Sequence, residues 1–245
     1  MAVGENELSE YWALLREIEQ LAFTDLNSLL RQLDGEEQAA LWAGLRAGVP
    51  EIVNLYRSTA ADTAMLFYEN TQGLAFDREA ALAASAVNAA QLEKQLRWAV
   101  FAAQSGSMGG NLAAVVQKQV LDGSRHYAMS GFVSAGSGWY RAAQPGACAF
   151  CRMLATRSAT EWGPYGSAAA GVFIGQGRHS RSTAPPETKF HKNCHCIPVL
   201  ASEYEVPEHV NEWTEEYYKA TEAVGNASDT KLILSEMRRT SGHSH

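Results

Sequence analysis

The stretch that decides the fold is a pair of cysteine motifs, CAFC at residues 148–151 and HKNCHC at residues 191–196. The chain has 4 cysteines, and all of them lie in these two motifs. In a C-x-x-C turn two thiolates can converge on one tetrahedral ion, and a second short group of ligands completes the coordination. Because thiolates together with imidazole favour zinc over calcium, magnesium or manganese, the sequence predicts a zinc site with the candidate ligands Cys148, Cys151, His191, Cys194 and Cys196.

These five donors are one more than a tetrahedral site needs, so three ligand sets are open. Cys148, Cys151 and His191 could act with Cys194, the same three could act with Cys196, or all four cysteines could bind without the histidine. In an extended segment Cys194 and Cys196 face one side and His195 faces the other, which makes His195 the least favoured donor. A fully ligated site leaves no position for water, so we expect one structural zinc per chain.

Two other interpretations of the cysteines compete with zinc. A pair of disulfides would need an oxidising compartment. Free thiols are the second alternative, and a catalytic cysteine beside His191 or His195 is a variant of it that needs a low thiol pKa and an orienting third group. The sequence contains neither G-x-S-x-G nor H-E-x-x-H, the local signatures of serine hydrolases and zinc proteases. The sequence therefore identifies no catalytic residue.

Charge is distributed unevenly along the 245 residues, whose formal net charge is −7. Residues 1–130 carry 9 basic and 16 acidic side chains, residues 131–200 carry 7 and 2, and residues 201–245 carry 4 and 9. Because phosphate neutralisation needs a basic excess, this balance excludes polyanion binding by the chain as a whole. We therefore expect a contact with DNA phosphate only locally, through Arg178, Arg181, Lys189 and Lys192. The alternative is that the loop containing these residues is solvated and binds no phosphate.

Composition and hydrophobic spacing predict a mainly α fold in three regions. Residues 1–130 are expected to form an antiparallel α-helical docking region, and residues 131–202 a small α+β module held by zinc. Residues 203–245 are expected to form an acidic C-terminal arm that is helical and has a partly disordered tail. Val210, Trp213 and Tyr217 share one face of the helix predicted there.

Helix boundaries follow from apolar residues spaced three and four apart and from breakers. The first helix includes Tyr11, Leu14, Leu15 and Leu21 on one face and ends near residues 34–35. A second helix is expected to stop at Gly48 and a third to start at Pro50. Asp77 is a predicted N-cap for a helix that continues to Ala103. A last helical segment, over residues 112–121, should end before Gly123. The N-terminus lacks a positive region followed by an apolar stretch, and no apolar run reaches the roughly 20 residues of a membrane span, so neither a secretion signal nor a span is predicted.

Three stretches of the middle region together resemble a known family. They are WYR at residues 139–141, GACAFCRMLATR at residues 146–157 and HKNCHCIP at residues 191–198. In combination they resemble the C-terminal module of MuF-like minor head proteins of tailed phages, in particular the actinobacteriophage branch, whose members are often labelled capsid maturation proteases. The resemblance covers roughly residues 137–200.

This resemblance implies a minor capsid protein that joins the procapsid near the portal and stays inside the head, in several copies per virion. It implies the portal protein and the major capsid protein as partners, a role in capsid assembly and in DNA packaging or ejection, and assembly in the host cytoplasm. The family's metal-type pattern falls on Cys148, Cys151, His191, Cys194 and Cys196. A capsid maturation protease is the alternative function, and a zinc-stabilised DNA-binding or nuclease module is the third.

Overall fold

The structure, a computed structural model, describes residues 3–73, 77–101, 107–160, 163–164, 194–227 and 229–241. Within these ranges the chain is mainly helical and contains one small two-stranded sheet, which confirms the predicted fold class. No helix in the described ranges is long and apolar enough to cross a membrane. In chain order the elements are α1 (Glu5–Gln32), α2 (Gln38–Gln72), α3 (Arg78–Ser85), α4 (Ala89–Phe101), α5 (Met108–Ser134), β1 (Trp139–Ala142), α6 (Ala149–Ala155), β2 (Ile197–Leu200), α7 (Glu208–Val224) and α8 (Thr230–Ser241).

Helix α1 is the predicted first helix, and it buries one face. Tyr11, Leu15 and five other apolar side chains of this helix are buried. Leu14 and Leu21, which we expected on the same face, are each 51% exposed. At 100° per residue Leu14 lies about 100° and Leu21 about 120° from the centre of the buried face. The spacing therefore identified the helix but predicted too wide a buried face.

Helix α2 is continuous, so the break predicted at Gly48 and Pro50 is wrong. A Cβ at Gly48 would lie 2.7 Å from the Leu29 Cδ2, and one at Gly44 would lie 2.5 Å from the Leu33 Cδ2. These glycines therefore let α2 approach α1 closely instead of ending a helix. Pro50 lacks a backbone N–H and cannot donate the usual bond within the helix, yet α2 continues through it.

The single helix predicted after Asp77 is two helices. Asp77 is the N-cap of α3 as predicted, since its Oδ1 accepts a hydrogen bond from the Ala80 N–H at 3.0 Å. Residues 86–88 then interrupt the helix, and the Asn88 Oδ1 accepts from the Gln91 N–H at 3.0 Å at the start of α4. The Asn88 side chain thus supplies a cap where continuous helix was expected. The expected end at Ala103 lies outside the described residues.

Helix α5 does not end before Gly123, contrary to prediction, but continues to Ser134. Gly123 faces α2, where a Cβ would come within 2.2 Å of the Arg57 carbonyl oxygen. This glycine therefore marks the closest approach of α2 and α5. We call α1, α2 and α5 the helical frame. Since α5 passes through residues 130 and 131, it belongs to both of the first two expected regions, and the three-region division stays a prediction.

The sheet pairs two short antiparallel strands that lie far apart in sequence. Trp139 pairs with Leu200 and Ala142 with Ile197. The Tyr68 hydroxyl of α2 donates a hydrogen bond to the Pro198 carbonyl at 2.5 Å, and Tyr68 also contacts the rings of Tyr11 and Phe132 in edge geometry. One hydrophobic core therefore includes both the helical frame and the sheet.

The C-terminal helices form a second, smaller core with α6. Met153 of α6 packs there with Ala220 of α7 and Met237 of α8. Val210 and Trp213 of α7 are buried, and Tyr217 packs against the small core, which confirms the apolar face predicted for this helix. The unanchored tail was expected over residues 238–245; residues 238–241 are instead the last turn of α8, and residues 242–245 lie outside the described residues.

Candidate metal centre

The first cysteine motif lies at the start of α6. Cys148 is the N-cap residue, and its carbonyl accepts the Arg152 N–H at 3.0 Å. Cys151 follows in the first turn and is buried, whereas Cys148 is half-buried. The turn that begins the helix brings the two thiols together, and a hydrogen bond joins them.

The second motif reaches the same place from the other side of the sheet. Cys194 and Cys196 lie in the extended segment directly before β2, and both are buried. The Cys151 Sγ lies 3.4 Å from the Cys194 Sγ, and the sulfurs of Cys151, Cys194 and Cys196 all lie within 4.8 Å of one another. We call Cys148 and these three residues the cysteine cluster.

The geometry of the cysteine cluster fits a metal ion. Sulfurs about 2.3 Å from a tetrahedral zinc are about 3.8 Å from each other, and both the 3.4 Å between Cys151 and Cys194 and the 4.8 Å limit for the three sulfurs are compatible with that value. All four cysteines are thiols and no disulfide joins them. Three buried cysteines are thus close enough to bind a metal ion.

Mutual contact and burial make these thiols poor nucleophiles. Hydrogen bonds with Cys148, Cys194 and Cys196, followed by burial, raise the pKa of Cys151 far above its ordinary value. The pKa of Cys196 is also raised: its hydrogen bond with Cys151 lowers it, but the hydrogen bond with Cys194, burial and the Cys194 charge together raise it more. A catalytic cysteine needs the opposite shift, so this environment does not suit covalent catalysis by Cys151 or Cys196.

His195 points away from the sulfurs and joins a polar contact with the helical frame. Its Nε2 lies 3.1 Å from the Glu19 Oε2 of α1 and 2.9 Å from the Gln117 Nε2 of α5. Gln117 also donates to the Glu19 Oε1 at 2.7 Å, and the Trp12 Nε1 donates to the His195 carbonyl at 3.2 Å. The histidine therefore attaches the cysteine segment to α1 and α5, on the face that strand alternation assigned to it.

A buried arginine supports the same segment from beneath. Arg125 of α5 is 1% exposed, and its Nε donates to the Cys196 carbonyl at 2.9 Å while its Nη2 donates to the Cys194 carbonyl. Its Nη1 donates to the Asp122 Oδ1 at 3.1 Å, and Asp122 also pairs with Lys118. Burial lowers the pKa of Arg125, but the charges of Cys194, Asp122 and Cys196 raise it more, so the net direction is upward.

The structure describes four of the five predicted metal ligands. Cys151, Cys194 and Cys196 converge, and Cys148 adjoins Cys151, whereas His191 lies outside the described residues. The expected phosphate contacts Arg178, Arg181, Lys189 and Lys192 also lie outside them.

Sequence reasoning missed the supporting residues Glu19, Gln117 and Arg125. One signal was present, since Lys118, Asp122 and Arg125 interrupt an apolar helix at spacings of four and three. Charged residues on that face of a helix indicate an internal ion pair.

Comparison with known proteins gives a family and no individual relative. A family model described as VG15 protein matches residues 2–220. No curated protein and no solved structure matches the chain significantly. The family match spans nearly the whole chain and includes the helical frame, the cysteine cluster and most of α7. The protein therefore belongs to the VG15 protein family, a family of viral proteins encoded by phages.

Proposed function

We propose that this chain is a MuF-like minor capsid protein that acts in head morphogenesis, inside the phage head and near the portal. Membership of a phage family supports the viral setting. The cysteine motifs and their neighbours supply the resemblance to MuF-like proteins. The portal protein and the major capsid protein are the proposed partners, and the helical frame is the proposed docking region. DNA in the head is a further proposed contact, through Arg178, Arg181, Lys189 and Lys192.

The observation that carries this proposal is the structural character of the cysteine cluster. Three of its thiols are buried and lie within 4.8 Å of one another, where the start of α6 meets the segment before β2. Zinc bound there would be fully ligated and would join two chain segments some forty residues apart, which is what a structural site does. A component that must withstand head assembly and DNA packing gains rigidity from such a link.

Zinc is the metal we propose, at one ion per chain, with ligands drawn from Cys148, Cys151, His191, Cys194 and Cys196. Thiolate donors in tetrahedral array select zinc among the abundant divalent ions that lack redox chemistry. When bound, the ion would contribute folding energy and no reaction.

The test is assembly in the presence and absence of the portal. Procapsids made with the tagged chain, the major capsid protein and the portal protein should contain the chain, and procapsids made without the portal should contain much less. Equal incorporation in both would contradict docking near the portal. The same samples show whether the major capsid protein is cut. Cleavage that depends on a Ser or His of this chain would replace the proposal with the protease function.

A further inference from the structure

Four exposed leucines lie on one side of the helical frame. They are Leu14 and Leu21 of α1 and Leu55 and Leu66 of α2, each between 51% and 57% exposed. At 100° per residue, the two leucines of α1 lie about 140° and 160° around that helix from Glu19, which contacts Gln117 of α5. The two leucines of α2 lie about 160° and 180° around that helix from Arg57, whose carbonyl oxygen lies against Gly123 of α5. All four leucines therefore face away from α5.

The antiparallel packing of α1 and α2 arranges these leucines in two pairs. Tyr11 of α1 and Phe67 of α2 stack with their ring centroids 4.1 Å apart, which sets the register of the two helices. At 1.5 Å per residue, Leu14 lies within about 3 Å of the level of Leu66, and Leu21 lies within about 3 Å of the level of Leu55. The leucines of both helices thus form one exposed apolar strip.

Carboxylates surround this strip. Residues three or four positions apart are neighbours on the surface of a helix, and at these positions the four leucines have six exposed acidic residues and no basic residue. The acidic residues are Glu10, Glu17, Asp25, Glu51, Asp62 and Glu69. We call them and the four leucines the acidic leucine face. An exposed apolar patch with a polar rim is typical of a surface that binds another protein.

A surface of the opposite charge lies across α2 from this face. Its six residues are Trp42 and Arg46 of α2 and Lys94, Arg97, Trp98 and Phe101 of α4, and we call them the arginine–aromatic patch. The ring centroids of Trp42 and Phe101 are 5.5 Å apart. The guanidinium carbons of Arg46 and Arg97 each lie 5.8 Å from the centroid of the Trp42 ring. Arg46 lies about 160° to 180° around α2 from the leucines of that helix, so the two surfaces are on opposite sides of it.

Exposure and charge give the arginine–aromatic patch the properties of a binding surface. Its tryptophan and phenylalanine on α4 are 39% and 45% exposed. Arg46 pairs with Glu93 at 3.2 Å, and the three basic residues of the patch together with Glu93 carry a net charge of +2. This basic excess is local, because residues 1–130 as a whole are acidic. Tryptophan and arginine are enriched among the residues that dominate the binding energy of protein interfaces.

We propose that the arginine–aromatic patch of one copy binds the acidic leucine face of a second copy, so that copies associate head to tail. The two surfaces are opposite in charge and both are partly apolar, which favours their contact over the contact of either surface with itself. Because they lie on opposite sides of α2, one copy can use both at once. Such contacts form a ring where the rotation closes and an open chain where it does not. This inference goes beyond the proposed function and depends neither on it nor on a metal.

Sedimentation velocity of the purified full chain, at concentrations up to about 100 μM, tests self-association. We expect the weight-average sedimentation coefficient to rise with concentration and species larger than a dimer to form. Salt at about 1 M, which shortens the Debye length to about 3 Å, should reduce the association. A wild-type chain that stays monomeric throughout would overturn the inference, and so would a dimer that never grows.

Two complementary variants test which surfaces meet. K94E/R97E reverses the charge of the patch and keeps the acidic leucine face, whereas L55S/L66S removes apolar area from that face and keeps the patch. Each variant alone should associate at least about 10-fold more weakly than the wild type. An equimolar mixture should form a dimer with one copy of each and no larger species, because one intact contact remains and the other two surfaces are disabled. A mixture without that dimer would overturn head-to-tail binding.

The matched control is K219E/K231E, which changes the net charge by the same amount at exposed lysines of α7 and α8. It should associate like the wild type, and a loss equal to that of K94E/R97E would overturn the assignment to the patch. Because all substituted side chains are exposed, the variants should keep the wild-type helix content in circular dichroism. The single variants R97E and L66S replace any double variant that loses helix.

Discussion

The helical frame and the cysteine cluster are held together in different ways. The frame buries a continuous apolar core between long helices. Aromatic rings pack within it, and the rings of Tyr11 and Phe67 are stacked with their centroids 4.1 Å apart. The cluster lies between a seven-residue helix and two four-residue strands, elements too short to be stable alone. Hydrophobic burial can therefore account for the folding of the frame, whereas the cluster depends on the frame beneath it and, under the proposed function, on a bound metal.

Removing a thiol should produce the largest difference in stability between the cysteine cluster and the helical frame. In C151S we expect loss of the metal and local unfolding of β1, α6 and β2, because structural zinc contributes about 10–16 kcal/mol of folding energy in zinc-finger peptides. The helices of the frame should remain. Metal analysis combined with hydrogen exchange checks this, with the surface variant Y218S as control. Intact protection in β1 and β2 without metal would contradict the expectation.

The helical frame should be most sensitive at Gly123. G123A places a Cβ about 2.2 Å from the Arg57 carbonyl, and overpacking of this kind costs about 1–3 kcal/mol. Urea unfolding should show that loss while the zinc content stays at the wild-type value. G146A is the matched control, since a Cβ there meets nothing within 4 Å. If the two variants are equally stable, α2 and α5 do not approach as closely as described.

Weakening the contact between the helical frame and the cysteine cluster should reduce the stability of the protein by a smaller amount. E19Q removes the charge that faces His195 at 3.1 Å, and because His195 is 35% exposed we expect a loss of about 1 kcal/mol. E17Q, on the exposed face of α1, should change nothing. A double-mutant cycle with H195Q isolates the pair, and a coupling energy near zero would show that the histidine does not attach the segment to α1.

At neutral pH Y68F should have an effect similar to that of E19Q, but with a distinctive pH dependence. Removing the hydroxyl loses the hydrogen bond to the Pro198 carbonyl, worth about 1 kcal/mol. Burial, followed by the charge of Tyr11, raises the pKa of Tyr68 well above its ordinary value. The unfolded chain loses this proton near pH 10 and the folded chain does not, so the folded state binds more protons above that pH and stability falls as pH rises.

Y68F lacks this hydroxyl and therefore lacks its contribution to the loss of stability at high pH. The difference in stability between wild type and Y68F should shrink above pH 10. Unfolding of the two proteins at pH 7 and pH 11 checks this, with Y218F, which alters a partly exposed ring, as the control. A constant difference across that range would contradict the buried position of the hydroxyl.

Sequence alone predicted the helical class, the Asp77 cap and the cysteines, because each of these depends on local spacing. It divided α2 at Gly48 and ended α5 before Gly123, because both glycines serve contacts with other helices and a glycine that ends a helix has the same local sequence signal. It also missed the break at residues 86–88. Glu19, Gln117 and Arg125 were invisible as parts of the site because their partners lie 69 to 176 residues away, a distance that hydrophobic periodicity does not bridge.

The close approach of Gly123 to Arg57 has a mechanical consequence. Arg57 lies near the middle of the 35 residues of α2, and Gly123 near the middle of the 27 residues of α5. At 1.5 Å per residue, each helix is divided into two arms of roughly 17 to 29 Å. Because Gly123 has no side chain, α2 and α5 are in close contact there, and a rigid tilt of α2 by about 5° around this contact would move its two ends by about 2 Å in opposite directions.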